Sequence, residues 1–236
     1  MQEVVNNDPI YFVGDIHGRF GDLKDDIIKQ DIRDCTLICV GDYGIGFNLS
    51  FAGELETQKK LNEFFKLRNI QFLTIRGNHD DPTYFKGATR LNYSNLELLE
   101  DYTFRNINGE NFLFVGGAVS IDRRYRKELI DYWIDEIFIF DEKKVQSCDV
   151  LVAHSAPTWI GPFDKDSLSG WCKNDPTLWD ECFKERKEHD ALIKLSNPNR
   201  FYCGHFHETH AVDFNDCYGR ILSELEILEH HPRNGK

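Results

Sequence analysis

Asp15 and His17 stand one residue apart in GDIHG, and His205 and His207 repeat that spacing in GHFH. On a turn leaving a strand, two side chains so spaced can face one small volume, and each pair reads as two ligands for a metal ion. Asp42 in GDYG, Asn78 in GNHD and His154 in AHSAP add a carboxylate, a neutral carbonyl and another imidazole. Imidazole and carboxylate oxygen together suit Mn, Fe or Zn, and a carboxylate between two sites can bridge two ions. Asp42 is the natural bridge: if it is shared, the seven side chains give each ion four protein ligands. Two ions roughly 4 Å apart would hold a hydroxide between them and stabilise both the attacking and the leaving oxygen of an in-line displacement at phosphorus.

Each motif has a plainer reading. A lone His at a strand end is more often a surface or capping residue, and GD, GN and GH pairs are ordinary turn chemistry. What outweighs those readings is the ordered set, with every member behind an apolar run. Ile10 to Val13 leads into GDIHG, Thr36 to Val40 into GDYG, and Phe72 to Ile75 into RGNHD. Phe112 to Val115 then meets GGAVS, Val150 to Ala153 meets HSAP, and Phe201 to Cys203 meets GHFH. Each run has the length of a buried strand.

Helical periodicity over Phe20 to Gln30 and Glu54 to Arg68 separates the first three runs, so the order is β-α-β-α-β and the strands are parallel with crossover helices. In such sheets ligands bind beyond the carboxyl ends of the strands, where all these polar clusters would converge. Leu91 to Val119 mixes Tyr, Phe and Ile with turns and reads as strands, or as a short helix followed by strands. Asp180 to Leu195 predicts a surface helix stopped near Asn197-Pro198, and Thr209 to Phe214 with Arg220 to Leu228 predicts a hairpin. The tail after Glu229, with His230 and His231, reads as frayed and solvated, and His210 as structural or exposed.

The chain has 236 residues, 41% hydrophobic and 29% charged, which suits one globular domain over 1–236. A formal charge of −12 argues against long duplex nucleic acid as a partner. Seven scattered cysteines without a CxxC pair suggest neither a disulfide framework nor a zinc knuckle, and fit a reducing cytoplasm. No signal-peptide pattern or apolar run of membrane-spanning length is present, so no membrane association is expected.

GDIHG at 14 to 18, GDYG at 41 to 44, GNHD at 77 to 80, AHSAP at 153 to 157 and GHFH at 204 to 207 together resemble the motifs of the calcineurin-like metallophosphoesterases. The resemblance implies an α/β fold, with mixed β-sheets sandwiched by helices in an αββα arrangement. It implies Asp15, His17 and His207 on a first metal, Asn78, His154 and His205 on a second, and Asp42 bridging. It also implies that His79 protonates the leaving oxygen, with Asp80 orienting it, and a neutral-range imidazole suits that work. The cofactors expected are two divalent ions, Mn first, with Fe, Zn or Mg as alternatives.

Arg76-Gly77-Asn78-His79 resembles the protein Ser/Thr phosphatase branch, whose second motif reads GDxxDRG, but here Ile45 and Gly46 stand in place of its second Asp and its Arg. Another guanidinium must therefore grip the phosphate, since a planar fork is its usual bidentate partner. The candidates are Arg19, Arg76, Arg123 and Arg124, with Arg123 first; a solvated or structural role is the ordinary alternative for each. GGAVSIDRRYR followed by Asp131-Tyr132-Trp133 resembles bacterial and phage members of the family. Trp133, Trp159, Trp171 and Trp179 fall in loops near the strand ends, where packing is the favoured reading and stacking on a nucleobase the rival.

The function expected is hydrolysis of a phosphate monoester, with a small molecule, nucleotide or phosphoprotein as substrate. The enzymatic alternative is a phosphodiesterase acting on nucleotides or nucleic-acid ends. The non-enzymatic one is a binding module of the same fold, which would not require seven polar groups and His79 to converge.

Overall fold

The computed structural model describes residues 8–47, 50–87, 90–161 and 164–232. Four strands of one sheet run parallel, namely β1 (Ile10–Val13), β2 (Cys35–Cys39), β3 (Ile70–Thr74) and β4 (Leu96–Leu98), and β11 (Ile227–Glu229) pairs antiparallel to β1. In the second sheet β6 (Glu110–Val115), β7 (Val150–Ala153), β8 (Arg200–Cys203) and β10 (Cys217–Ile221) are parallel. Antiparallel β5 (Thr103–Ile107) and β9 (His210–Phe214) form its edges.

The inner parallel strands are covered on both faces, which is why they read as continuous apolar runs rather than alternating ones, whereas the edge strand β9 is largely exposed. The strand period of two still sorts the side chains. Phe12, Ile38, Val40 and Leu73 face Phe112, Phe114, Val150, Val152 and Tyr202 across the space between the sheets. Val13, Leu37, Cys39 and Phe72 point the other way, onto Leu23 and Ile27 of α1 (Phe20–Lys29) and Leu61 and Phe65 of α2 (Phe51–Leu67). Leu113, Leu151, Phe201 and Cys203 meet Leu192 of α3 (Leu178–Ser196) on the outer face of the second sheet. The layers are therefore helix, sheet, sheet, helix.

Helix α2 starts three residues before the periodicity does, because Ser50 accepts from the Gly53 amide at 3.3 Å and caps it. The mixed stretch after Leu91 resolves into β4, β5 and β6. The expected hairpin is half right. Asn215 and Asp216 both take positive φ and turn β9 into β10, but β10 ends at Ile221. The chain then crosses between the sheets, and Ile227–Glu229 joins the other one as β11.

That crossing also buries His230, which the sequence placed in a solvated tail. Its Nε2 lies 2.9 Å from Glu110 Oε2 and its Nδ1 3.0 Å from the Tyr202 hydroxyl, with Phe12 and Phe112 against the ring. Among the described residues, no helix is long and apolar enough to cross a membrane.

Candidate metal centre

Every motif sits where a strand ends. The Asp15, Asp42 and Asn78 segments leave β1, β2 and β3; His154 leaves β7, and His205 and His207 leave β8. Parallel strands stack these ends at one edge, so five separate turns converge. Asp15, His17, Asp42 and His207 present ligand atoms all within 4.8 Å of one another, and Asp42, His154 and His205 form a second such group. Asp42 belongs to both. Asn78 Oδ1 completes the second group, 3.1 Å from His154 Nε2 and 2.8 Å from His205 Nδ1.

Local backbone explains the glycines of the motifs. A Cβ on Gly77 would lie 2.0 Å from Asp42 Oδ1, and one on Gly204 would lie 1.9 Å from Asp15 Oδ1. Only a bare backbone lets these carboxylates in. His17, Asp42, His205 and His207 themselves take φ of 49°, 47°, 68° and 54°, a left-handed region that costs non-glycine residues about 1–2 kcal/mol each. The surrounding fold holds that strain to aim the side chains inward.

The donor set fits divalent ions. Asp15 is fully buried, and its Oδ1 has no hydrogen-bond partner, while its Oδ2 accepts from the His205 amide at 2.9 Å. His17 Nε2 and His207 Nε2 face each other at 3.0 Å, so two ring nitrogens aim at one place. The His154 Nδ1 sits 2.9 Å from the Val40 carbonyl, an acceptor, which fixes the ring with Nε2 toward the cluster. Buried carboxylate and imidazole donors of this kind are the usual hold on Mn, Fe or Zn.

The electrostatics are those of tightly packed opposite charges. Burial disfavours a charged Asp42, yet His154, with its Nε2 at 3.2 Å, His79 and His17 hold that carboxyl well below its usual range. His154 responds in kind: burial opposes its protonation, but Asp42 raises it to about 10. Burial pushes His205 well down.

His79 lies beside the cluster. Its amide donates to Asp42 Oδ1 at 2.7 Å, and its ring stands edge-on to that of His17 at 5.1 Å. Burial lowers its imidazole, Arg126 and His17 push the same way, and Asp42 opposes them. Asp80 does not orient it. The buried Asp80 carboxylate instead accepts from the backbone amides of Tyr43, Gly44, Ile45 and Gly77 at 3.1, 2.6, 3.0 and 2.8 Å, tying the turn after β2 to the turn after β3. Burial and nearby Asp42 raise it to about 6.

Of the arginines chosen from sequence, Arg76, Arg123 and Arg124 are held in other ion pairs, and Arg19 stands at the rim of the cluster beside Glu224. Arg76 is buried, with Nε and Nη2 on Asp101 at 3.0 and 2.7 Å and its remaining donors on the carbonyls of Asp135, Glu136 and Ile137. Arg123 binds Asp175 at 2.6 Å and Glu181, and with Arg124 it lines a separate surface hollow. Arg124 pairs with the same Asp175 at 3.3 Å. Arg19 is half exposed and pairs with Asp22 at 2.9 Å and Glu224 at 3.4 Å. Glu224, not singled out in the sequence, reaches 3.5 Å from His207 and 3.8 Å from His17.

The arginine that does reach the centre is Arg126. Its Nη2 donates to the Asn78 carbonyl at 3.0 Å and its Nη1 to Ser120 Oγ at 2.6 Å, while Glu136 lies at 3.4 Å and the Phe47 ring at 5.5 Å. Glu136 is fully buried, and burial pushes its carboxyl up to about 7. The 3-10 turn Arg123–Tyr125 brings Arg126 back toward the cluster. Arg126 is the last residue of GGAVSIDRRYR, a stretch from which the sequence singled out Arg123 and Arg124 instead.

Among known proteins, the model of the calcineurin-like phosphoesterases matches residues 8–209. None of the curated proteins searched matches. One solved structure shares the fold, and a second is similar in part. The former, from Staphylococcus aureus and described as a 5′-nucleotidase in complex with alpha-ketoglutarate, superposes with a TM-score of 0.52 at 16% identity, over 94% of this chain and 50% of its own. This chain thus spans half the length of that relative. The phosphopantetheinyl hydrolase of Mycobacterium tuberculosis is similar over 94% of this chain and 91% of its own, at 11% identity and a TM-score of 0.45. With its family model matched over most of its length and the two-sheet sandwich in place, the chain belongs to the calcineurin-like phosphoesterases.

Proposed function

We propose that this protein is a divalent-metal-dependent hydrolase of phosphate monoesters. The observation that carries the reading is the sharing of Asp42 between two groups of ligand atoms, each drawn together within 4.8 Å. On this reading Asp15, His17, Asp42 and His207 hold one ion and Asp42, Asn78, His154 and His205 the other. Bound there, the ions would supply positive charge to the phosphoryl oxygens and activate water. Mn²⁺ is the ion proposed first.

The side chains do the rest. His79, held beside Asp42 by its own amide, gives a proton to the departing ester oxygen, and burial lowers its imidazole, which favours release of that proton. Arg126 fixes Asn78 through the main-chain carbonyl and through Ser120. A cytoplasmic setting belongs to the same proposal and is supported by seven free thiols.

The test uses chelator-stripped protein assayed with and without Mn²⁺ on p-nitrophenyl phosphate and on bis(p-nitrophenyl) phosphate, with Asp42→Asn alongside. Metal-restored turnover of the monoester, lost in Asp42→Asn, is the expected result. Preference for the diester would overturn the monoester assignment, and failure to bind metal would sink the reading whole.

A further inference from the structure

The cluster forms only one end of a cavity of about 360 Å³. Asp42, Asn78, His79, His205 and His207 line that end. The rest of the lining is of another character: Ile121, Leu168, Trp171 and Cys182, with Phe206 reaching toward them from beside His205. It is a built wall rather than a loose flap. Leu168 and Cys182 are buried in a small core with Val119 and Leu178, against which Ile121 and Trp171 pack half-exposed. Tyr125 braces Trp171 edge-on, with ring centroids 5.8 Å apart.

Charge narrows the occupant. Asp122 and Glu185 are carboxyl groups on the lining, set against one guanidinium, that of Arg186. Arg186 lies over the Phe206 ring at 5.2 Å and donates to the Ile160 carbonyl at 2.5 Å, so it is turned into the protein. No lysine lines the cavity among the described residues. An anionic leaving group, such as an acidic phosphopeptide or a further phosphate, would meet carboxylates here. A polyol would leave the apolar wall uncovered, and a flat ring would cover it.

Resting on the monoesterase reading, we propose that Trp171 and its apolar neighbours receive a flat, uncharged ring in the leaving group. The substrate is thus the phosphate monoester of a ring-bearing alcohol, either a nucleoside or an aryl alcohol. Trp171 sets specificity by binding the ring equally in ground and transition states, so its effect falls on KM rather than kcat.

The experiment compares intact metal-loaded protein with Trp171→Ala and Trp171→Phe on adenosine 5′-monophosphate, phenyl phosphate, glycerol 3-phosphate and a phosphoserine peptide. Binding of free adenosine is measured in parallel by calorimetry. The wild-type protein should show KM values about 10-fold lower for the ring substrates, in line with a stacking contact. Trp171→Ala should raise those values by about the same factor, leave glycerol 3-phosphate within about twofold, and be rescued by Trp171→Phe. Preference for adenosine 5′-monophosphate with measurable adenosine binding identifies the nucleoside source; preference for phenyl phosphate without it identifies the aryl source. Equal losses on all four substrates, or best turnover of glycerol phosphate or the peptide, would overturn the inference while leaving the monoesterase reading intact. Absence of metal-dependent turnover on every substrate would instead defeat that reading, and with it this one.

Discussion

The side-chain amide of Asn78 donates to Ser120 Oγ at 2.9 Å, which turns Asn78 Oδ1 toward His154 and His205. Ser120 can hold that position because its own hydroxyl donates to Glu136 and it also accepts from Arg126 at 2.6 Å. An amide without this tether is free to flip and offer a donor where a ligand oxygen belongs. Ser120→Ala should therefore weaken binding of one of two Mn²⁺ ions by about 10-fold or more, read by calorimetric titration of stripped protein. Two unchanged binding steps would show that Ser120 does not orient Asn78.

His79 and Asp80 are neighbours in the chain but should fail in different ways. His79→Asn should cut kcat by roughly 10² to 10⁴ with metal content intact, because only a proton donor is lost. Asp80→Asn places an amide group against backbone donors that now face a carboxylate, so it should cost about 2–4 kcal/mol in stability, seen as a lower denaturant midpoint. A fully stable Asp80→Asn would contradict the structural role assigned to those four contacts.

Divalent metal should stabilise the fold as well as support turnover. At 100-fold excess over its dissociation constant, one bound ion adds about 3 kcal/mol, a rise in Tm of roughly 6–12 °C at this size. Chelator should remove the gain, and Asp42→Asn should abolish most of it, since Asp42 is common to both ligand groups. Identical melting curves with and without Mn²⁺ would count against a metal centre.

Glu185 lends the protein a pH dependence of known sign. Burial holds its carboxyl up at about 7, while the unfolded chain releases that proton in the ordinary carboxylate range. Between those limits the folded form holds more protons, so stability falls as pH rises and the loss is complete above about pH 7. Glu185→Gln, which can still accept from the Val119 amide, should match the wild type at pH 4 and exceed it at pH 8, by on the order of 3 kcal/mol at most. Equal stability at pH 8 would show that the ionised carboxylate is not penalised there.

Much of the site is legible in the chain because strand ends are locally encoded. An apolar run that stops at Gly-Asp or Gly-Asn marks both the end of a buried strand and the turn that follows, and parallel pairing then brings such ends together. Asp15, Asp42 and Asn78 are placed by that rule, and His154 by the end of its own apolar run, Val150 to Ala153. The arginines are not, because a long charged side chain is positioned by whatever opposite charge the fold delivers. Arg123 meets Asp175 and Glu181, and Arg76 meets Asp101, through contacts 25 to 58 positions apart in sequence. Asp80 likewise met its amide partners only when the turns after β2 and β3 came side by side.

The sequence by itself determined the β-α-β-α-β order with parallel strands and the residues that gather at the strand ends, since both follow from the period and length of apolar runs and the polar turns that close them; the two-sheet sandwich was an implication of the family resemblance. Only the tertiary structure decided that Arg126 rather than Arg123 reaches the centre, that the chain after Ile221 crosses to the other sheet and buries His230, and that Trp171 faces the cavity. Those outcomes depend on how segments far apart in the chain pack against one another, and local periodicity carries no record of that packing.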